Sequence, residues 1–368
     1  MNFTTLGLLP SLLTYVRNAG YTEPTPIQAQ AIPHVLAGHD VSGQAQTGTG
    51  KTAAFALPIV QRLLATPSTG RIRALVLAPT RELAAQIHET FRGASSGLRT
   101  AVIFGGVNKN PQARAIQQGL DVLVATPGRL LDLAHDRVLR LDAVEILVLD
   151  EADRMMDMGF IPDLRRVLKL LPPRRQTLLF SATFPPTIAA LAQELLRNPV
   201  KILIPSNTPT ADKVEQYVQF VDKARKRAVL VDLLNDPDVE RAVVFTRTKH
   251  GANRVAEGLT GARIPAEAIH GNKSQNARER ALSNFKAGTT RVLVATDLAA
   301  RGIDVTGISH VINFDMPTEP ETYVHRIGRT ARAGASGIAI SLVEPDERAQ
   351  LRDVERLIGR KIAEGARA

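Results

Sequence analysis

The chain has 368 residues, with 46 Lys+Arg against 36 Asp+Glu for a net charge of +10, 44% hydrophobic residues and no Cys. That length and composition suit two globular domains and exclude a disulfide framework, a thiolate metal site and, in the absence of an uncharged apolar run of about 18 residues, a membrane-spanning helix. The charge divides as +6 over residues 1–208 and +4 over 209–368, so both halves offer a basic surface suited to a polyanion, although an Arg-rich solvated surface gives the same balance.

At the start of the chain, Met1-Asn2-Phe3-Thr4-Thr5-Leu6 lacks the charged-then-apolar layout of a secretory signal, which makes the cytoplasm the expected compartment. Further on, Gly43-Gln44-Ala45-Gln46-Thr47-Gly48-Thr49-Gly50-Lys51-Thr52 is a glycine-punctuated loop running into a helix expected to open at Thr52. Gly48 and Gly50 let the backbone curl, so that the N–H groups of Gln46, Thr47, Gly48, Thr49 and Gly50 converge on one anion. Lys51 adds a charge aimed at β- and γ-phosphates, and Thr52 offers a hydroxyl to Mg²⁺. The helix start presents its own unpaired N–H groups to the same anion. Ala45 stands where the strict G-x4-G-K-[ST] pattern has Gly, and so small a residue still permits the turn.

After the loop, short Val/Ile/Leu-rich runs alternate with helical patterns. They fall at 74–77, 100–104, 122–124, 146–149 and 177–180, then at 242–245, 291–294, 310–312 and 338–342. Such nearly continuous runs predict strands buried on both faces, hence doubly wound α/β domains with parallel sheets. The Pro- and Ser/Thr-rich stretch 205–212 lacks apolar periodicity and is the expected joint between domains at 1–204 and 213–346. From 347 to 368 the pattern predicts a charged amphipathic helix, with Leu351, Val354, Leu357 and Ile358 on one face.

Asp150-Glu151-Ala152-Asp153 follows the 146–149 run directly, at the carboxyl end of a strand, where ligands of open α/β sheets sit. Asp150 there can hold Mg²⁺ through water, and Glu151 can deprotonate the water attacking a γ-phosphate. An acidic helix N-terminus favoured by the helix dipole explains the cluster alone. The phosphate loop upstream is what points to nucleotide hydrolysis. Far along the chain, His325-Arg326-Ile327-Gly328-Arg329-Thr330-Ala331-Arg332 supplies three arginines able to neutralise charge building on a transferring phosphoryl group. A generic basic patch fits them too. Met155, Met156 and Met158 read as packing residues, Lys223, Arg225, Lys226 and Arg227 as a solvated helix start, and the eight His show no metal-ligand spacing.

In this order the motifs resemble the DEAD-box ATP-dependent RNA helicases, and within them the RhlE-type bacterial branch, over residues 3–343. The first half carries Gly20-Tyr21-Thr22-Glu23-Pro24-Thr25-Pro26-Ile27-Gln28, the Ala45–Thr52 loop, Pro79-Thr80-Arg81-Glu82-Leu83-Ala84, Gly105-Gly106, Thr126-Pro127-Gly128-Arg129, Asp150–Asp153 and Ser181-Ala182-Thr183. The second half adds Val244-Phe245-Thr246-Arg247-Thr248, Gln275-Asn276-Ala277-Arg278, Ala295-Thr296-Asp297, Arg301-Gly302-Ile303-Asp304 and the arginine-rich octet, in which Ala331 replaces the usual Gly.

The resemblance implies two RecA-like domains, ATP with Mg²⁺, and a monomer that grips RNA by its sugar-phosphate backbone. It implies that Gln28 reads the adenine edge, that Phe3 stacks on the base and that Asp304 contacts the ribose; Phe3 serves equally as a hydrophobic anchor. It gives Arg329 and Arg332 to the γ-phosphate, and a coupling role to Asp153, Ser181, Thr183, His325 and Arg326. RNA falls to Thr80, Arg81, Gly105, Gly106, Thr126 and Arg129 in the first domain, and to Arg247, Gln275, Arg278 and Thr296 in the second. Taken singly, Thr80 and Thr126 are also ordinary helix caps. The resulting expectation is an RNA-dependent ATPase that unwinds short duplexes or remodels RNA–protein complexes. An ATP-gated RNA clamp and a DNA-directed translocase are the rival readings.

Overall fold

The structure is a computed structural model that describes residues 2–46, 48–95, 97–204, 214–300, 305, 307–330 and 337–365. The expected joint at 205–212, together with Thr47, Asp304 and Arg332, lies outside the described residues. The chain divides into two compact units, Met1–Pro205 and Ser206–Ala368.

The first unit is built on β1 (Val41–Gln44), β2 (Ala74–Leu77), β3 (Thr100–Ile103), β4 (Val122–Ala125), β5 (Ile146–Asp150), β6 (Gln176–Ser181) and β7 (Val200–Leu203). The second is built on β8 (Val214–Phe220), β9 (Ala242–Phe245), β10 (Ala266–Ile269), β11 (Val292–Ala295), β12 (His310–Asn313), β13 (Gly337–Val343) and β14 (Ala363–Glu364). Each set forms one seven-stranded parallel sheet, in the orders β3-β4-β2-β5-β6-β1-β7 and β10-β11-β9-β12-β13-β8-β14. Adding seven to each strand number of the first order reproduces the second, so the two units share one topology.

The central strands β2, β4, β5 and β6 are buried along their whole length, as are β9, β11 and β12. Parallel pairing with helices on both faces requires this, and it explains why these strands read as unbroken apolar runs. The strand β1 is different. Its Ser42-Gly43-Gln44 sequence gives no apolar run, yet it lies between β6 and β7 with Gly43 opposite Phe180. A Cβ on Gly43 would meet the Phe180 ring at 2.6 Å, so only glycine lets that ring cover the strand. Phe180 in turn packs on Phe55 at 5.5 Å between ring centroids, and Phe55 on Phe91 at 6.3 Å. This aromatic column fixes the strand from which the phosphate loop departs.

Candidate functional site

The parallel strands deliver the loops that follow them to one carboxyl edge of each unit. In the first unit, β1, β5 and β6 end together, with Gln44 paired to Ser181 and Asp150 to Phe180. The helix after β1 runs Lys51–Leu64 and opens at Lys51, one residue earlier than expected, with Gly50 as its cap at φ 88°. Gly48 also has φ 88°, a left-handed conformation that favours glycine. Thr49 Oγ1 donates to the Gln46 carbonyl at 2.7 Å, and Lys51 Nζ donates to the Ala45 carbonyl at 2.7 Å, so the lysine folds back over its own loop.

The glutamine expected at the adenine edge is buried against this loop. Gln28 Oε1 accepts from the Thr25 N–H at 3.0 Å, completing a helix-capping box, and Nε2 donates to the Gly50 carbonyl at 3.1 Å. A Cβ on Gly50 would lie 2.4 Å from Gln28 Nε2. The Gln28 amide therefore ties the start of its own helix to the phosphate loop. Phe3 is 3% exposed and its ring sits 6.3 Å from that of Tyr21, so in this structure it serves as the hydrophobic anchor of the N-terminal turn.

Five acid and hydroxyl side chains meet at the tips of β5 and β6. Asp150 is buried; burial pushes its carboxyl up to about 7 against the opposing pull of Lys51, with the Glu151 charge adding to the rise. Glu151 caps the following helix in a left-handed conformation (φ 55°, ψ 54°), uncommon and strained for a side chain of this size. Its carboxylate forms a buried ion pair with Arg154 at 2.5 Å. Arg154 is a residue that motif reading missed, and its only sequence trace is the i,i+3 spacing from Glu151. Asp153 Oδ2 accepts from the Thr183 N–H at 2.9 Å and the Thr183 hydroxyl at 3.0 Å, while the Asp153 N–H donates to Ser181 Oγ at 3.1 Å. Burial opposes charge on Asp153, but the Thr183 and Ser181 bonds and nearby Lys51 prevail and hold its carboxyl below the usual range.

Among the described residues, no group of three or more His, Cys, Asp or Glu could hold a metal. A cation here must take most of its ligands from water and phosphate. Mg²⁺ does so, and a buried carboxylate at Asp150 with the Thr52 hydroxyl is a hard-oxygen pair that fits it.

The other half of the same edge, at β2, β3 and β4, gathers the residues assigned to RNA. Thr80 caps the helix Arg81–Ala94, accepting from the Leu83 N–H at 3.3 Å. The Arg81 guanidinium covers Gly106, where φ is 74° and a Cβ would meet it at 2.2 Å. Thr126 precedes the helix Pro127–His135, and its N–H donates to the Ile103 carbonyl at 3.1 Å. Arg129 is turned inward, donating to Gln112 Oε1 at 3.1 Å and the Val107 carbonyl at 3.0 Å. Gln112, also missed by motif reading, clamps the Phe104 N–H (3.2 Å) and carbonyl (3.1 Å) beside Gly105.

In the second unit the same edge is crowded with paired charges. Arg326 is 2% exposed, its Nη2 2.8 Å from Asp297 Oδ2 and its Nη1 3.1 Å from Asn313 Oδ1, with the guanidinium 5.0 Å from the Phe245 ring centre. It pins the ends of β9, β11 and β12 together. Arg329 is also buried, and its Nε donates to the His325 carbonyl at 3.3 Å. Thr296 and Gln275 are nearly buried, with Gln275 Nε2 donating to Glu279 at 2.9 Å; Arg278 is half-buried on the same helix, Gln275–Lys286. Arg247 is half exposed and paired to Glu347 at 2.6 Å. Lys223, Arg225 and Arg227 are exposed as the solvated helix start predicts, but Lys226 is not. It is 1% exposed, 2.8 Å from Glu347, 2.9 Å from Glu344 and 3.8 Å from Asp315, because it opens its helix beneath the strand ends rather than on the surface.

Two tandem parallel α/β units, one with a phosphate loop and a carboxylate cluster at its edge, define a nucleotide-driven helicase-type protein. Residues 25–191 match the DEAD/DEAH box helicase family and residues 225–334 the helicase conserved C-terminal domain. The chain is 46% identical over 362 residues to the DEAD-box ATP-dependent RNA helicase CshA of Bacillus cereus, covering 98% of this chain and 69% of that one. It is 45% identical to CshA of Geobacillus kaustophilus, covering 98% and 77%. S. cerevisiae Dbp5 bound to RNA and ADP BeF3 superposes with a TM-score of 0.88 at 32% identity, over 99% of this chain and 95% of that one. The chain belongs to the DEAD-box family of ATP-dependent RNA helicases, and both units are RecA-like.

Proposed function

We propose that this protein is an RNA-dependent ATPase that locally separates short RNA duplexes or remodels RNA–protein complexes. The observation that carries the reading is the tie between Asp153 and Ser181–Thr183, since it joins the nucleotide carboxylates to the tip of β6 as one piece. Backbone N–H groups from Gln46 to Gly50, with Lys51, take the phosphates of ATP. Mg²⁺, when bound by Thr52 and Asp150, would screen the β/γ-phosphate charge. Glu151 accepts the proton of the attacking water, its Arg154 partner fixing the orientation of its carboxylate. Gln28 turns from Thr25 and Gly50 toward the adenine, Asp304 takes the ribose, and Phe3 contributes by anchoring the N-terminal turn or, if uncovered, by stacking.

RNA lies along Thr80, Arg81, Gly105, Gly106, Thr126 and Arg129 of one unit and Arg247, Gln275, Arg278 and Thr296 of the other. Joint binding of ATP and RNA closes the units, with 205–212 as the joint, and brings Arg329 and Arg332 to the γ-phosphate; Asp153, Ser181, Thr183, His325 and Arg326 couple the two events. A groove that fits a bent single strand better than a regular duplex destabilises local pairing. In support, the Dbp5 neighbour holds RNA with ADP BeF3. The protein acts as a cytoplasmic monomer; no helix among the described residues is long and apolar enough to cross a membrane. The motifs resemble the RhlE-type branch, whereas the relatives above carry the CshA name. The test compares RNA and DNA of identical sequence as ATPase activators, beside a strand-displacement assay on a short duplex. RNA-specific stimulation with ATP-dependent strand release is expected; a rate indifferent to RNA refutes the reading.

A further inference from the structure

Resting on the reading of Arg247 as an RNA contact, we propose that Glu347 is a positioning residue for that contact, held in place by the buried Lys226. Glu347 is 4% exposed in its side chain, and both of its oxygens are committed. Oε2 faces Lys226 Nζ at 2.8 Å and accepts from the Glu344 N–H at 3.2 Å. Oε1 accepts from Arg247 Nη2 at 2.6 Å and from the Met316 N–H at 3.0 Å. Three donors other than Arg247, from Lys226, Glu344 and Met316, fix this carboxylate, so it cannot follow Arg247; Arg247 must follow it.

Arg247 is held from a second direction as well, since its own N–H donates to Asp315 Oδ2 at 2.8 Å. The guanidinium carries five N–H donors in a planar fork. One nitrogen is anchored on Glu347 while half of the side chain remains exposed to a ligand. A pre-oriented fork loses less conformational freedom on meeting a phosphate than a free arginine does. Lys226 offsets the charge of Glu347, Glu344 and Asp315, and the Phe314 ring lies 5.6 Å from its Nζ. Lys226 and Arg247 together leave the cluster only one negative charge from balance.

The test measures the RNA concentration giving half-maximal ATPase stimulation, and the maximal rate, for wild type, Arg247→Ala, Glu347→Gln and the double variant. Glu347→Gln is expected to raise the half-saturating RNA concentration about tenfold with a nearly unchanged maximal rate, and to add nothing once Arg247 is alanine. A merely structural role would lower the rate or act equally in both backgrounds. No effect of Arg247→Ala refutes the RNA role of Arg247 and the inference with it. An effect of Arg247→Ala but none of Glu347→Gln, an equal effect in both backgrounds, or tighter RNA binding overturns the positioning role alone. If Glu347→Gln does not fold, Arg247→Lys decides: it should lose as much as Arg247→Ala, and wild-type behaviour refutes the inference.

Discussion

Lys51 and Lys226 occupy one place in two sheets of identical strand order: each is the first residue of the helix that follows the first strand of its unit. Lys51 lies against a loop of left-handed glycines and donates to a backbone carbonyl. Lys226 faces Glu344, Glu347 and Asp315, and no glycine loop precedes it. In the first unit the cation meets a loop carbonyl; in the second it meets a set of internal carboxylates. Shared topology supplies an edge, and the loops decide whether that edge does chemistry or holds itself together.

The sharpest way to break the comparison is to remove each lysine. Lys51→Ala should cut RNA-stimulated ATPase by roughly 10²–10³-fold, on the scale of losing one charge stabiliser, with a melting temperature close to wild type. Glu151→Gln should slow turnover by about 10²–10⁴ while ATP and RNA remain bound together, as single-turnover assays and filter binding would reveal. Lys226→Met should instead fail as a fold, losing about 3–5 kcal/mol in denaturant melts because buried carboxylates are left without their cation.

A smaller effect concerns acid–base balance. Asp150 has its carboxyl raised to about 7, so the folded state favours the protonated form. Its contribution is fully present only below about pH 4 and is lost progressively as pH rises to about 7. In metal-free protein, Asp150→Asn should therefore gain more stability relative to wild type at pH 8 than at pH 5, the difference being on the order of 2 kcal/mol in paired melts. The smallest change is Thr183→Val. It deletes the hydroxyl bond to Asp153 yet keeps the backbone one, and should weaken RNA stimulation of ATPase by about tenfold or less.

The sequence reading reached the strands that are buried on both faces, since 74–77 and 242–245 are continuous apolar runs and strands at the same bounds. It did not pick out β1, whose Gly43 owes its place to a ring 137 positions away, or β10, a half-buried edge strand with Glu267 at its centre. Motif residues were legible because their spacing is local. Arg154, Gln112 and Lys226 were not, because each is defined by a partner that only the fold supplies, Glu347 lying 121 positions from Lys226.

The arginine-rich octet bears on how mutational scans of this protein should be interpreted. Arg326 is wedged among Asp297, Asn313 and Phe245, so a library scored only by growth would group it with Arg329 as one functional class. Thermal challenge of the purified variants separates the two: a keystone residue lowers soluble yield before it lowers turnover, whereas the role proposed for Arg329 predicts a loss of turnover with yield intact.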